Sequence, residues 1–147
     1  MTIIHKSRIV PYSTEQMFQL VDKVEDYAAF IPYCSESIVH HRDTDEVQAT
    51  LVIQVAGMQK SFTTRNRLQH NKMIELRLVK GPFNHLEGFW RFDETPEGCM
   101  ITFDLEFEFA SKVVGMMLNP VFEQVTCKMV DAFCDRAVAL YGESSSE

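Results

Sequence analysis

The sequence has no Cys-x-x-Cys pair, no glycine-rich phosphate loop, no HExxH segment and no GxSxG segment. The usual signatures of structural zinc, nucleotide binding, metalloprotease and serine hydrolase chemistry are therefore missing. The four cysteines, Cys34, Cys99, Cys127 and Cys134, show no metal-ligand spacing. Cys127 and Cys134 fall on one predicted helix about 10.5 Å apart along its axis, beyond disulfide reach. They read as reduced, mostly buried thiols. Between Met1 and Pro11 there is no basic-then-apolar run of the secretory kind, and no segment nears the roughly 20 apolar residues of a membrane span. A cytoplasmic location is the expectation. Positive charge is short as well: 14 Lys and Arg stand against 21 Asp and Glu, a net charge of −7. That balance keeps the protein soluble and opposes generic attraction to phosphate backbones or anionic lipid.

What is present is ordinary globular material. With 46% hydrophobic and 24% charged residues in 147, one domain over 1–142 is expected, and a chain of this length buries about 70% of its unfolded surface. Residues 143–147, with serines between two glutamates, have nothing apolar to bury and are expected to be disordered. No internal repeat or linker points to a second domain.

Alternation places the strands. Ile3–Val10 has period two and stops at Pro11. Ser13 followed by Gln16 is a capping-box pattern that starts a helix at Thr14, with Met17, Phe18, Leu20, Val21 and Val24 on its apolar side. A short helical turn over Glu25–Phe30 follows, closed by Pro32. In Val47–Val55 the odd positions face one way, with Val52 as an apolar exception on the other side. Ala56-Gly57-Met58 suits a hairpin turn, after which Phe62, Thr64, Asn66 and Leu68 share a face opposite Ser61, Thr63, Arg65 and Arg67. His70-Asn71-Lys72 turns the chain into Ile74, Leu76 and Leu78. Leu86, Gly88, Trp90 and Phe92 share the next face. Beyond the Thr95–Gly98 turn, Ile101, Phe103, Leu105, Phe107 and Phe109 alternate without a fault against Thr102, Asp104, Glu106 and Glu108.

Such a sheet has one dry face and needs a cover. Ser111–Tyr141 supplies it as a long helix with apolar residues at i, i+3, i+4 and i+7, capped by Ser111 and kinked or restarted near Pro120. The fold class is thus α+β: a curved antiparallel sheet wrapped around a long C-terminal helix, with two short helices after strand 1.

A sheet curled round a helix often leaves an apolar space that admits a small molecule. The inward residues Trp90, Phe92, Phe103, Phe107, Met116, Met117, Phe122 and Met129 either line such a tunnel or fill a solid core, and Pro32 is a candidate for its mouth. Val113–Leu118 is apolar all round the helix, so it is either deeply buried or meets a lipid, a ligand or another protein. No residue is assigned to catalysis or metal binding. His5, His40, His41, His70 and His85 are scattered, and His40 and His41, adjacent in a strand, point to opposite faces. Lys60, Arg65 and Arg67 lead a basic stretch that reads either as a solvated sheet face or as a patch for RNA.

With these elements placed, the chain resembles the START-like (polyketide cyclase/dehydrase) superfamily, in particular its coenzyme-Q-binding branch, which includes bacterial ribosome-association toxins. The stretches that carry the resemblance are VPYSTEQMFQLVDKVEDYAAFIPYC, KSFTTRNRL, LVKGPFNHLEGFWRF, FDLEFEF and MVDAFCDRAVALYG, spread over about Ile4 to Tyr141. Ala28-Ala29 departs from the pattern, since relatives usually carry a proline before the position of Phe30. The resemblance implies a helix-grip fold, no enzyme activity, no required cofactor, and a tunnel able to bind ubiquinone or another polyprenyl lipid. For the toxin members it implies binding to the large ribosomal subunit, which blocks subunit joining and inhibits translation. The alternative it implies is a ubiquinone carrier that supports respiration. Further partners consistent with it are a small antitoxin protein and a transient membrane contact.

Overall fold

The alternation seen in the sequence becomes seven strands: β1 (Thr2–Val10), β2 (Cys34–Arg42), β3 (Glu46–Val55), β4 (Met58–Gln69), β5 (Met73–Lys80), β6 (Phe83–Thr95) and β7 (Gly98–Phe109). The computed structural model describes residues 1–55 and 57–142. Ala56 of the expected β3–β4 turn and the expected disordered tail 143–147 therefore lie outside the described residues. All seven strands join one antiparallel sheet in the order β1-β7-β6-β5-β4-β3-β2. Strands β2 to β7 are successive hairpins, and β1 closes the sheet by pairing with the last of them. In the β6–β7 turn, Thr95 is opposite Gly98, and the Gly98 N–H donates to Thr95 Oγ1 at 3.1 Å. Asn71 takes the left-handed conformation, at φ 65°, in the β4–β5 turn, a position its short polar side chain tolerates.

Helix α1 (Thr14–Asp22) begins at the expected capping box. The Gln16 N–H donates to Ser13 Oγ at 3.0 Å, and the Ser13 N–H donates to Gln16 Oε1 at 2.9 Å. Removing the hydroxyl with Ser13→Ala should cost about 1 kcal/mol, read as a fall of about 2–4 °C in Tm. A 3-10 turn over Val24–Ala29 follows and buries Val24 and Tyr27.

The C-terminal cover is two helices, α2 (Lys112–Cys127) and α3 (Met129–Tyr141). The interruption expected near Pro120 falls instead at Lys128, and α2 runs through the proline. Pro120 lies on the exposed side of α2, where the carbonyl it leaves unpaired can be met by water. At Lys128 the chain tightens, with its N–H donating to Val125 O at 3.1 Å, and the Thr126 hydroxyl takes the Phe122 carbonyl at 2.9 Å. The Lys128 carbonyl then accepts from the Ala132 N–H to start α3. This is the helix-grip arrangement with a broken gripping helix.

Both C-terminal helices rest on β1 and β7, while α1 packs on α3, β6 and β7. Their backbones do not come as close to β3, β4 and β5, so a wedge opens over that half of the concave face. Two aromatic clusters pack between the sheet and the helices. Phe62, Phe83, Phe107, Phe109 and Phe122 interlock at one end. Tyr27, Phe30, Trp90, Phe103 and Phe133 do so at the other.

Two details of the sheet depart from simple alternation. Val52, the apolar exception on the convex face, is buried rather than exposed. A register shift between Val39 and His41 breaks the expected opposition of His40 and His41. His40 reaches Thr50 Oγ1 at 2.7 Å, and His41 meets Asp43 at 3.3 Å.

Candidate functional site

The wedge holds a cavity of about 70 Å³. Its floor comes from β3 to β7 (Ala49, Leu51, Ile53, Phe62, Thr64, Asn66, Leu76, Leu86, Trp90, Phe103 and Leu105). Its roof comes from α2 and the start of α3 (Phe122, Val125, Thr126 and Met129), and its end wall from Val24, Tyr27, Ile31 and Cys34. Among the described residues, no Asp, Glu, Lys, Arg or His lines it. Ligand pockets for drug-sized molecules measure roughly 300–1,000 Å³, so this cavity is smaller than such a molecule needs.

Trp90 anchors the floor. It is buried, stacked on Phe103 at 4.1 Å between ring centres and met edge-on by Phe133 at 5.2 Å. The polar side chains of the wall are mostly engaged within the protein. The Tyr27 hydroxyl donates to the Val21 carbonyl, and burial pushes that phenol well above its ordinary range. The Thr126 hydroxyl bonds Phe122 O, and the Thr64 hydroxyl donates to Asn66 Oδ1 at 2.9 Å.

Burial also pushes the thiols of Cys34, Cys99 and Cys134 up to about 11. A thiol whose pKa is raised by folding stabilises the fold fully below its ordinary value of 9.0, and that contribution is lost as pH climbs through about 11. Thermal stability should therefore decline between those two pH values. In the native protein at pH 8, a chromogenic disulfide should react quickly with the half-buried Cys127 and slowly with the other three thiols.

Of the residues expected to form the tunnel, Trp90, Phe103, Phe122 and Met129 line the cavity. Phe92 and Phe107 are buried but lie elsewhere in the core: Phe92 packs edge-on against Phe18, and Phe107 against Phe83 and Phe122. Pro32 is exposed beside Ile31, which does reach the cavity. Met116 and Met117 are 80% and 56% exposed, because the first half of α2 presents that side to solvent; they are not tunnel walls. With Val113, 68% exposed, they make an apolar patch, so deep burial of Val113–Leu118 holds at Leu118 and fails at these three residues, with Val114 and Gly115 half-buried. Thr64 and Asn66 were missed as site residues, although their alternation with Phe62 and Leu68 had placed them on the inward face.

The basic residues do not form one patch. Lys60 is half-buried on the concave side beside Phe62 and Leu118, whereas Arg65 and Arg67 point outward. The reason is strand parity: 60 is even, as 62 is, and 65 and 67 are odd. Arg65 Nε lies 2.8 Å from Glu46 Oε2, and Arg67 sits in register between Glu46 and Glu75. At the other end of the convex face, His85 Nε2 is 3.2 Å from Glu106 Oε1, and with Glu87 these side chains bring three ligand-type atoms within 4.8 Å of one another. Cross-strand register, invisible in the sequence, joins them. No helix among the described residues is long and apolar enough to cross a membrane.

A family model described as polyketide cyclase / dehydrase and lipid transport matches residues 10–134. The ribosome association toxin RatA of Escherichia coli (strain K12) is 40% identical over 139 residues, which is 94% of this chain and 88% of that protein. The mitochondrial coenzyme Q-binding protein of Drosophila melanogaster is 28% identical over 133 residues, covering 87% of this chain and 55% of its own. The crystal structure of the Zhui aromatase/cyclase from Streptomyces superposes with a TM-score of 0.80 over 97% of this chain and 99% of that one. At 18% identity that likeness establishes the fold alone. The family match across most of the chain, the end-to-end likeness to the toxin and the sheet gripped around α2 and α3 agree: this chain belongs to the polyketide cyclase / dehydrase and lipid transport family, the START-like superfamily.

Proposed function

We propose that this chain is a translation inhibitor that binds the large ribosomal subunit in the cytoplasm and hinders its joining to the small subunit. The observation that carries this reading is the 40% identity to a ribosome association toxin along 94% of the chain. A surface for ribosomal RNA needs cations that can be released to phosphate. Arg65 and Arg67 fit: both are exposed, Arg65 pairs with the partly exposed Glu46, and a surface ion pair holds its members by about 1 kcal/mol or less.

Co-sedimentation of the chain with purified large subunits tests this reading. The double variant Arg65→Glu, Arg67→Glu should weaken binding at least tenfold and lower the slope of log affinity against log salt by about 2, near one unit per lost phosphate contact. An unchanged affinity and slope would remove these arginines from the interface. No binding by the unaltered chain would remove the reading itself.

A second reading has its own support: the cavity is apolar, free of acid and base side chains, and a relative is named for coenzyme Q binding. On that reading the chain holds a polyprenyl quinone or similar lipid, with each buried methylene contributing about 0.8 kcal/mol. The two readings use different surfaces, the interior and the convex face, and one molecule can do both. A wall that carries no Asp, Glu, Lys, Arg or His among the described residues supports binding over catalysis, and a small antitoxin protein is a partner to seek by pull-down.

A further inference from the structure

Asn66 is 6% exposed, on the inward face of β4 between Phe62 and Leu68. Its Oδ1 accepts the Thr64 hydroxyl at 2.9 Å, which occupies the amide oxygen and leaves the Nδ2 group as the free end of a side chain that lines the cavity. That group donates to no other described residue, and it is not among the side-chain atoms sealed away from solvent without a partner. It is therefore a donor that an occupant of the cavity can reach. The hydroxyls of Tyr27, Thr64 and Thr126 are all committed to protein oxygens. Among the described side chains of the wall, the Asn66 amide and the Trp90 indole N–H have no protein acceptor; Trp90 is stacked flat on Phe103, whereas the amide nitrogen offers two donors. Leaving a buried donor unmatched is costly, so native structures match it with water or a ligand.

We propose that Asn66 is the specificity-determining residue of the cavity, donating a hydrogen bond to a carbonyl-type oxygen of a neutral, otherwise apolar ligand. This rests on the lipid-binding reading and narrows it. A bare hydrocarbon leaves the amide unmatched. A carboxylate finds no cation on the wall, and burying an unpaired charge is prohibitive. A ketone or quinone oxygen satisfies the amide while the rest of the molecule meets Leu76, Leu86, Trp90 and Phe122.

Displacement of the neutral dye N-phenyl-1-naphthylamine tests this, with decyl-1,4-benzoquinone, decylbenzene and dodecanoate as competitors. In the unaltered chain the quinone should compete roughly five to ten times better than decylbenzene, the size of one hydrogen bond, and dodecanoate should compete worst. Asn66→Leu should abolish the quinone's advantage while leaving decylbenzene equal or tighter. Thr64→Val, which frees the amide to rotate, should narrow the same ratio and serves if Asn66→Leu does not fold.

Equal loss of quinone and hydrocarbon binding, an unchanged ratio, or dodecanoate as the best competitor would overturn the assignment to Asn66 while leaving the cavity as a binding site. Failure of every competitor to displace the dye from the unaltered chain would overturn the lipid-binding reading, and this assignment with it.

Discussion

Trp90→Ala should destabilise the protein by about 3–5 kcal/mol, the range for deleting a large buried aromatic. Trp90 is 1% exposed, stacked on Phe103 and braced by Phe133, so nothing nearby is free to collapse into the space it leaves. The deletion should instead merge with the cavity beside it. Denaturant unfolding followed by far-ultraviolet circular dichroism measures the loss, because the chain's one tryptophan is gone and fluorescence no longer reports. The enlarged cavity is apolar and should accept a small aromatic, so added indole should raise the unfolding midpoint of the variant and leave that of the unaltered chain nearly fixed. A loss under about 1 kcal/mol, typical of a surface site, would mean that Trp90 does not hold the floor.

Gly88→Ala should be as damaging, through a single methyl group. A Cβ at position 88 would stand 2.2 Å from the Asp104 carbonyl oxygen and 2.9 Å from the Leu105 Cα. Those are backbone atoms of β7, which is held on both sides by β6 and β1 and cannot step aside without breaking the sheet. We expect the variant to lose about 4 kcal/mol or more, in the range reserved for severe core defects. Gly115→Ala is the matched control. Its Cβ would meet the Phe109 side chain at 3.3 Å, and the gain in helix propensity of about 1 kcal/mol offsets that crowding. Comparing the two melting curves separates backbone close approach from glycine loss in general.

The sheet was legible because period two is a strong signal when one face is dry. Ile101, Phe103, Leu105 and Phe107 alternate in the sequence and all are buried. The capping box placed the start of α1 for the same reason, a local pattern with a local cause. The same parity already held two facts about the site: it put Asn66 among the inward residues, and it put Lys60 on the opposite face from Arg65 and Arg67.

Other features required three dimensions. Helical periodicity marks Met116 and Met117 as apolar but does not show that the first half of α2 turns them outward to solvent. The break at Lys128 falls just after the Thr126 hydroxyl bonds a carbonyl one turn back, a weaker sequence signal than a proline. The pairing of Arg65 with Glu46, and of His85 with Glu106, depends on register across strands. Register follows from turn geometry and from which strand neighbours which, and neither is written in one strand's own residues.

The measurement that bears most directly on the central claim is a sucrose gradient of purified ribosomal subunits mixed under joining conditions, with and without this chain, at two salt concentrations. Fewer joined ribosomes are expected in its presence, with the chain travelling on the free large subunit and the effect weakening at the higher salt. Full joining at both salts, with the chain remaining at the top of the gradient, would contradict it and leave the apolar cavity as the seat of function.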